Sequence, residues 1–252
     1  MKYFVFSFVL VCTLVTGVIF ANTAPKKYTK KQAVDILNEA EQIRSIEKAE
    51  ILVDLKTVAG KLETLYDMKI LRSTERRAII DFVGPPEERG RKMLALGRSY
   101  WSTFPDSKKV VAISSREMIG NSAFALADIF QLDADNDYNT EIVGEEKENG
   151  VDLLKLELKE KHKDAPYTRI EYWVEQKSSF PVKAKFYGPS GKHLKTMTVD
   201  SRKEIGGRLR PEVSRMVDEV TTGRVSWWKT KSMVSAKVPD QIFSKDYLKS
   251  GN

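Results

Sequence analysis

Residues 48–55 read Lys-Ala-Glu-Ile-Leu-Val-Asp-Leu, a stretch in which apolar side chains occupy every second position. Ala49, Ile51, Val53 and Leu55 share one phase of this alternation, and the other phase is mostly charged. Successive side chains of a β-strand point to opposite faces of its sheet. The stretch therefore predicts a half-buried strand with one face against a core.

The same two-residue repeat recurs along the rest of the chain. It is found at residues 64–71, 76–82, 92–96, 99–104, 110–113, 140–146, 151–159, 168–175, 182–187, 193–205, 208–218 and 222–235. Short glycine-containing links, such as residues 148–150 and 206–207, are typical of tight turns. Strands joined by such turns are antiparallel, because a parallel pairing needs a long crossover. We predict a mainly β, α+β protein with one large antiparallel sheet of ten or more strands.

A helix is predicted to precede the sheet. Thr29 and Gln32 match a capping box, in which the two side chains satisfy amides at the helix start. Apolar residues such as Leu37 and Ala40 then recur at helical spacing, and Glu41 is predicted to lie on the polar face.

A second helix is predicted over residues 122–132, Ser-Ala-Phe-Ala-Leu-Ala-Asp-Ile-Phe-Gln-Leu. The stretch is rich in alanine, a strong helix former, and Asp128 and Gln131 are its clearest polar members. A helix that is apolar nearly all round is normally buried on every side. The alternative is that one side faces an apolar space meant for a ligand.

The N-terminus has the layout of a secretory signal. Lys2 precedes an apolar run over residues 4–20, and small or polar residues follow at 21–24. We predict that residues 1–24 are a cleaved signal peptide and that residues 25–252 form one exported domain. The alternative is an uncleaved membrane anchor. Cys12, the single cysteine, lies in the apolar run and is assigned to the signal, with lipid attachment as the alternative.

The composition, 41% hydrophobic and 31% charged, is that of a soluble globular domain. The net charge of +7 comes from basic residues interleaved with acidic ones, so the sequence predicts no nucleic-acid groove. An excess of positive charge is compatible with attraction to anionic lipid surfaces.

The sequence offers no motif of a known catalytic or metal centre. His162 and His193 lack the helical partner of a zinc site, and neither a Gly-x-Ser-x-Gly elbow nor a phosphate-binding glycine loop is present. Residues 133–137 are superficially similar to a calcium loop but lack its glycine and distal glutamate, so a solvated acidic loop is predicted. We expect a binding protein without catalytic residues, metal or cofactor.

Aromatic doublets occur in four of the predicted strands, at residues 100–101, 172–173, 186–187 and 227–228. Neighbouring residues of a strand face opposite sides. The doublets therefore indicate apolar material on both faces of the sheet.

A series of short motifs runs along nearly all of the chain that follows the signal. It comprises Gly84-Pro85-Pro86, residues 90–94 (Gly-Arg-Lys-Met-Leu), 100–105 (Tyr-Trp-Ser-Thr-Phe-Pro), 110–114 (Val-Val-Ala-Ile-Ser), 172–174 (Tyr-Trp-Val), 180–184 (Phe-Pro-Val-Lys-Ala), and Phe243-Ser244 before Tyr247-Leu248. In order and spacing, the chain resembles the outer-membrane lipoprotein-sorting protein family of the LolA-like superfamily. Phe124 and Asp128 match a further family stretch, from which the first acidic residue is missing here.

The resemblance implies a half-open, strongly curved antiparallel β-sheet, an incomplete barrel that helices close as a lid. It implies a periplasmic carrier or chaperone that binds acyl chains of lipoproteins or lipids in an apolar cavity, for transfer towards the outer membrane. The implied partners are an inner-membrane transporter or an outer-membrane acceptor. The apolar residues predicted to line the cavity are Trp101, Phe104, Phe124, Leu126, Ile129, Phe130, Tyr172 and Phe186.

Two other functions stay open at this point. One is a protein-interaction or sensor module of the periplasm, which a cavity filled by its own side chains would favour. The other is an accessory subunit of an envelope transporter.

Overall fold

The computed structural model describes residues 28–105 and 107–249. These residues build one antiparallel sheet of 13 strands. The strands are β1 (Ala49–Ala59), β2 (Leu62–Ser73), β3 (Arg77–Gly84), β4 (Lys92–Leu96), β5 (Ser99–Phe104), β6 (Ser107–Ile113), β7 (Tyr138–Glu148), β8 (Val151–Glu160), β9 (Arg169–Glu175), β10 (Pro181–Tyr187), β11 (His193–Ile205), β12 (Arg208–Asp218) and β13 (Arg224–Ser235). Every predicted strand is confirmed, with ends that differ by a few residues.

The sheet consists of two meanders joined at its centre. Its order is β6-β5-β4-β3-β2-β1-β13-β12-β11-β10-β9-β8-β7, so β1 and β13 pair while β6 and β7 form the two edges. The chain must therefore travel from one edge of the sheet to the other between β6 and β7. It does so through residues 114–137, which we call the cover segment.

The sheet curls strongly. In a flat sheet, the β4–β5 turn and the β8–β9 loop would lie at least about 43 Å apart, because nine strand spacings of about 4.8 Å separate them. Instead Arg98 of that turn lies 3.8 Å from Asp164 of that loop, measured from Nη1 to Oδ2. The two edges thus approach each other, and the sheet remains open between β6 and β7. The expected curved, incomplete barrel is the arrangement found.

The inner face of the curl holds the main hydrophobic core. Alternate residues of β1 are buried, including Ile51, Val53 and Leu55, which confirms the phase predicted for this strand. They belong to a single apolar cluster that reaches from Tyr100 of β5 to Leu156 of β8. The cluster spans most of the sheet, because the curl brings distant strands together.

The outer face carries a second, smaller cluster. Ile79 and Leu94 pack there against Phe243 and Leu248 of the C-terminal segment. This segment contains a short 3-10 helix (Asp240–Ile242) and a five-residue helix, α2 (Lys245–Lys249). The aromatic doublets correctly indicated apolar packing on both faces, but they did not predict α2.

The helix α1 (Lys30–Arg44) packs against β7, β10 and β12. Thr29 caps it as predicted, and the capping box with Gln32 is present. The prediction that Glu41 lies on the polar face is wrong, because Glu41 is 2% exposed. It stands four residues after the buried Leu37 and therefore shares its face.

The cover segment is not the predicted α-helix. Residues 122–132 contain only a 3-10 helix, Leu126–Ile129. The amides needed for an α-helix are used elsewhere, since Leu126 N donates to Glu117 O and Ala127 N to Ser115 O. Ser122 Oγ also accepts from Phe124 N, a local bond that competes with a helical turn. Helix propensity is a weak preference, and these bonds override it.

Residues 1–27, with the predicted signal peptide and Cys12, lie outside the described residues. Among the residues that are described, no helix is both long enough and apolar enough to cross a membrane.

Candidate functional site

An apolar cavity of about 90 Å³ lies between the inner face of the sheet and the cover segment. The sheet supplies most of its wall through Ile51, Ile70, Phe186, Met197, Met216 and Trp228. The cover segment closes it with Phe124, Ile129 and Phe130, and α1 contributes Glu41 and Arg44. Apolar walls favour a hydrocarbon ligand, because hydrocarbon gains free energy when it leaves water.

Arg44 joins the end of α1 to the cover segment. Its Nη1 donates to Asp128 O at 2.9 Å, and its Nη2 donates to Phe130 O. The same guanidinium pairs with Glu41 at 2.7 Å. One arginine therefore binds two carbonyls of the 3-10 helix end, groups that this helix leaves unsatisfied.

Glu41 is the second link between these elements. It accepts a hydrogen bond from the hydroxyl of Tyr172 at 2.8 Å and another from Leu132 N at 2.8 Å. Burial and the negative charge of Glu41 raise the pKa of Tyr172, which therefore stays protonated as a donor. Helix, sheet and cover segment meet at this one buried carboxylate.

Asp128 anchors the cover segment to the sheet. It forms a buried ion pair with Lys195 of β11 and accepts a hydrogen bond from the hydroxyl of Tyr167 at 2.7 Å. Burial and the charge of Asp128 raise the pKa of Tyr167. Asp128 Oδ2 also accepts from Ala125 N at 2.7 Å, which fixes the start of the 3-10 helix.

A polar recess of about 510 Å³ adjoins the cavity where the two sheet edges approach each other. Arg76 and Asp137 line both spaces. Asp137 is 3% exposed and pairs with Arg76 at 2.7 Å and with Arg98 at 2.6 Å. The prediction of a solvated acidic loop at 133–137 is therefore wrong for Asp137. Its charge is compensated by Arg76 of the β2–β3 turn and Arg98 of the β4–β5 turn.

Five of the predicted ligand residues are brought together by the curl. Phe124, Ile129, Phe130, Tyr172 and Phe186 all line the cavity, although they come from the cover segment, β9 and β10. Leu126 is fully buried in the same apolar cluster, behind the cavity wall.

The other two predicted residues lie elsewhere. Trp101 belongs to the outer cluster, where Lys245 Nζ lies 4.3 Å from the centre of its ring. It follows Tyr100, which faces the inner core, so the alternation of the strand turns Trp101 away. Phe104 is 47% exposed and contacts the guanidinium of Arg91.

Sequence reasoning missed the charged residues around the cavity. Arg72 continues the inward phase of Met68 and Ile70 in β2, and Lys195 stands two residues before the inward Met197 of β11. The same alternation that identified apolar core positions would have identified both. The alternation was used only for apolar residues, so these two charged residues were not identified.

Comparisons with solved structures find the same fold. A LolA superfamily protein from Nitrosomonas europaea is 30% identical, with a TM-score of 0.78, over 85% of this chain and 98% of that chain. A putative outer membrane lipoprotein-sorting protein domain from Vibrio parahaemolyticus is 22% identical, with a TM-score of 0.75, over 88% and 100%. A DUF1329 family protein from Desulfovibrio piger is 19% identical, with a TM-score of 0.76, over 86% and 98%.

A family model described as that of an uncharacterized protein matches residues 74–250. Among curated protein sequences, no relative is found. The Nitrosomonas europaea protein is similar over almost its whole length. The predicted resemblance is thereby confirmed: this chain belongs to the LolA superfamily.

Proposed function

We propose that this chain is a non-enzymatic periplasmic carrier or chaperone for acyl chains of lipoproteins or lipids. It would hold them between the sheet and the cover segment during transfer towards the outer membrane. The observation that carries the proposal is the apolar cavity, walled by the sheet on one side and by Phe124, Ile129 and Phe130 on the other. Membership of the LolA superfamily supports the same reading.

An acyl chain needs a carrier because its exposure to water costs much free energy. Each buried methylene contributes about 0.8 kcal/mol, so a chain of about 16 carbons contributes on the order of 10 kcal/mol. A chain of this kind does not cross an aqueous space unaided at a useful rate. A protein that covers it removes that barrier and releases it where a membrane or partner offers similar burial.

The described form is the closed one. Ligand pockets usually measure about 300–1,000 Å³, several times the 90 Å³ of this cavity. Loading therefore requires the cover segment to move away from the sheet. Its own backbone bonds, such as Ile119 N to Phe124 O, lie within the segment. Apart from the bond from Lys161 N to Asp137 O at its end, its contacts outside run through side chains, such as Arg44, Lys195 and Ser226. We infer that the segment moves as a unit.

Uptake of a pyrene-labelled fatty acid tests the proposal. Ala127 lines the cavity and is 6% exposed, so Ala127→Phe fills the space that the chain needs. We expect uptake by the unaltered protein and its loss in this variant. Ala112→Phe makes the same change at an exposed position of β6 and should keep uptake. Absence of uptake by the unaltered protein, or equal uptake by both variants, contradicts the proposal.

The small cavity favours one alternative, a protein-interaction or sensor module. In that function the side chains that fill the inner face are permanent, and the surface of the closed form binds a partner. The two functions differ in their response to Ala127→Phe. A module that works closed keeps its partner binding in this variant, whereas a carrier loses its cargo.

A further inference from the structure

A buried arginine in the cavity wall has no acid to pair with. Arg72 of β2 is 3% exposed and lines the apolar cavity. Its Nη1 donates to Ser45 Oγ, while its Nε has no hydrogen-bond partner. Within residues 28–105 and 107–249, no carboxylate lies within ion-pair distance of this guanidinium.

Two further donors at the same cavity are also unsatisfied. Arg76 Nε has no hydrogen-bond partner, and the Tyr138 hydroxyl, which the backbone N–H of Tyr167 approaches as a donor, has no acceptor for its own proton; both residues line the cavity. Burial raises the pKa of Tyr138, so its hydroxyl keeps the proton that it would donate. Buried polar groups are nearly always hydrogen-bonded, and three orphaned donors around one space point to a missing acceptor.

The charges near the cavity leave one cation in excess. Glu41 pairs with Arg44, Asp128 with Lys195, and Asp137 with Arg76. Arg72 is left over. Burial and repulsion from Arg44 outweigh the attraction of Glu41 and Glu47 and lower the pKa of Arg72 to about 9, so it is still protonated at neutral pH. An uncompensated buried charge is unfavourable until an anion approaches it.

In the closed form, both guanidinium groups lie against an aromatic ring instead of an anion. The Cζ atoms of Arg72 and Arg76 lie 5.8 Å and 5.5 Å from the centre of the Phe130 ring. A cation–π contact compensates a buried cation only in part. Phe130 belongs to the cover segment, so the movement that opens the cavity also takes the ring away from both guanidinium groups.

We propose that the cavity binds the anionic end group of an amphiphile, a carboxylate or a phosphate, at Arg72, Arg76 and Tyr138. The inference rests on the proposed function and specifies its cargo: an acyl chain that ends in an anion. The donors of Arg72, Arg76 and Tyr138 are enough to bind a carboxylate. A phosphate headgroup is larger and extends into the polar recess, whose wall includes Arg98, Arg116 and Lys163.

Two matched ligand pairs test the inference on the unaltered protein. Palmitate is compared with methyl palmitate, and lysophosphatidate with monopalmitoyl glycerol, each in competition with the pyrene-labelled fatty acid. In both pairs the acyl chain is constant and only the charge differs. We expect at least one anion to bind about ten- to a hundredfold more tightly than its neutral partner, the gain expected from charged hydrogen bonds.

Equal affinities within both pairs would overturn the inference and leave the carrier function intact, because the neutral ligands would still bind. Failure of all four ligands to bind contradicts the carrier function itself. A preference for palmitate alone identifies the carboxylate as the bound anion. A preference for lysophosphatidate that Arg116→Met reduces identifies the phosphate in the recess.

The variant Arg72→Met assigns the preference to its residue. It should reduce the ratio of charged to neutral affinity about tenfold or more, because only the charged ligand loses a binding partner. Arg215→Met, which removes an exposed arginine paired with Asp200, is the matched control and should keep the ratio. An unchanged ratio in Arg72→Met overturns the assignment. If this variant does not fold, the ligand pairs on the unaltered protein still decide.

Discussion

Glu41 shows how a single polar residue is stabilised inside this apolar fold. Its carboxylate accepts from Tyr172, Leu132 N and Arg44, so each of its oxygens has a donor. A buried charge with this many hydrogen bonds is tolerated, whereas removal of one partner leaves the others unsatisfied. The residue therefore ties helix, sheet and cover segment together in one arrangement.

Glu41→Ala should lower the free energy of unfolding by about 3 kcal/mol or more, because Tyr172 and Arg44 lose their acceptor inside the protein. Urea denaturation measures the change. Glu39→Ala is the control on the same helix: Glu39 forms a half-exposed pair with Arg208, worth about 1 kcal/mol or less. Similar losses in the two variants would show that Glu41 is not the link described here.

Acid should destabilise the protein through carboxylates of the sheet. Burial opposes ionisation of Glu171, but the hydrogen bond from Arg169 and the charge of Lys155 outweigh it and lower its pKa below 4.5. A lowered folded pKa contributes stability that is present above the unfolded value and is lost as pH falls through the folded value. Asp218 behaves alike, since bonds from Thr221 and Val220 overcome burial and lower its pKa below 3.8.

We therefore expect the urea midpoint to fall as pH drops below about 4.5, with a shallower fall in Glu171→Gln. Lys159 forms an exposed pair with Glu157 on neighbouring β8, and Lys159→Gln should leave the slope unchanged. If the urea midpoint stays the same from neutral pH down to a pH below the pKa of both Glu171 and Asp218, these carboxylates do not contribute to stability as described.

At the scale of elements, the cover segment is held to the sheet and to α1 mainly through side chains. Several of its amides bond within the segment, such as Ile119 N to Phe124 O, and Arg44 supplies two of the bonds that hold it against α1. Regions held in this way open at lower free energy than strands of a central sheet. The proposed carrier function therefore assigns the opening of the cavity to this segment.

Arg44→Met should loosen the cover segment and leave the sheet intact. Hydrogen exchange at the amides of Leu126 and Phe130 should become about ten- to a hundredfold faster, since bonds to a charged donor are lost. Amides of β1 should exchange as before. Lys31→Met, at an exposed position on the same helix, should change neither. Uniform acceleration over sheet and cover would mean that Arg44 stabilises the whole fold rather than this segment.

The strands were predictable and the cover segment was not, for one physical reason. Strand positions follow from an alternation that every residue of β1 or β2 repeats, so local sequence contains the information. The path of residues 122–132 depends on bonds to Glu117 and Ser115, which no local pattern reveals. The cavity wall was found in part, because Trp101 and Phe104 were chosen by residue type without regard to strand phase.

At the scale of the molecule, the two faces of the sheet pack against different parts of the chain. The inner face holds the cavity and the cover segment, while the outer face is covered near β3–β6 by the C-terminal segment. The adjacent residues Ile79 and Ile80 of β3 point to opposite faces, so this strand contributes to both clusters. Stability and ligand binding should therefore be separable by mutation.

Phe243→Ala tests this separation. Phe243 is 5% exposed in the outer cluster, and its truncation should cost about 3 kcal/mol of unfolding free energy. Uptake of the pyrene-labelled fatty acid should persist below the lowered melting temperature. Ala127→Phe should show the reverse pattern, with uptake lost. Loss of uptake in folded Phe243→Ala would show that the outer cluster also controls the cavity.

The most direct test of the carrier account is mass spectrometry of the intact protein purified from its native envelope without detergent. The account predicts a complex with one acyl-chain amphiphile, which is absent from Ala127→Phe and retained in Ala112→Phe prepared in the same way. Native protein that is consistently free of any lipid, in preparations where known lipid carriers keep theirs, would contradict it.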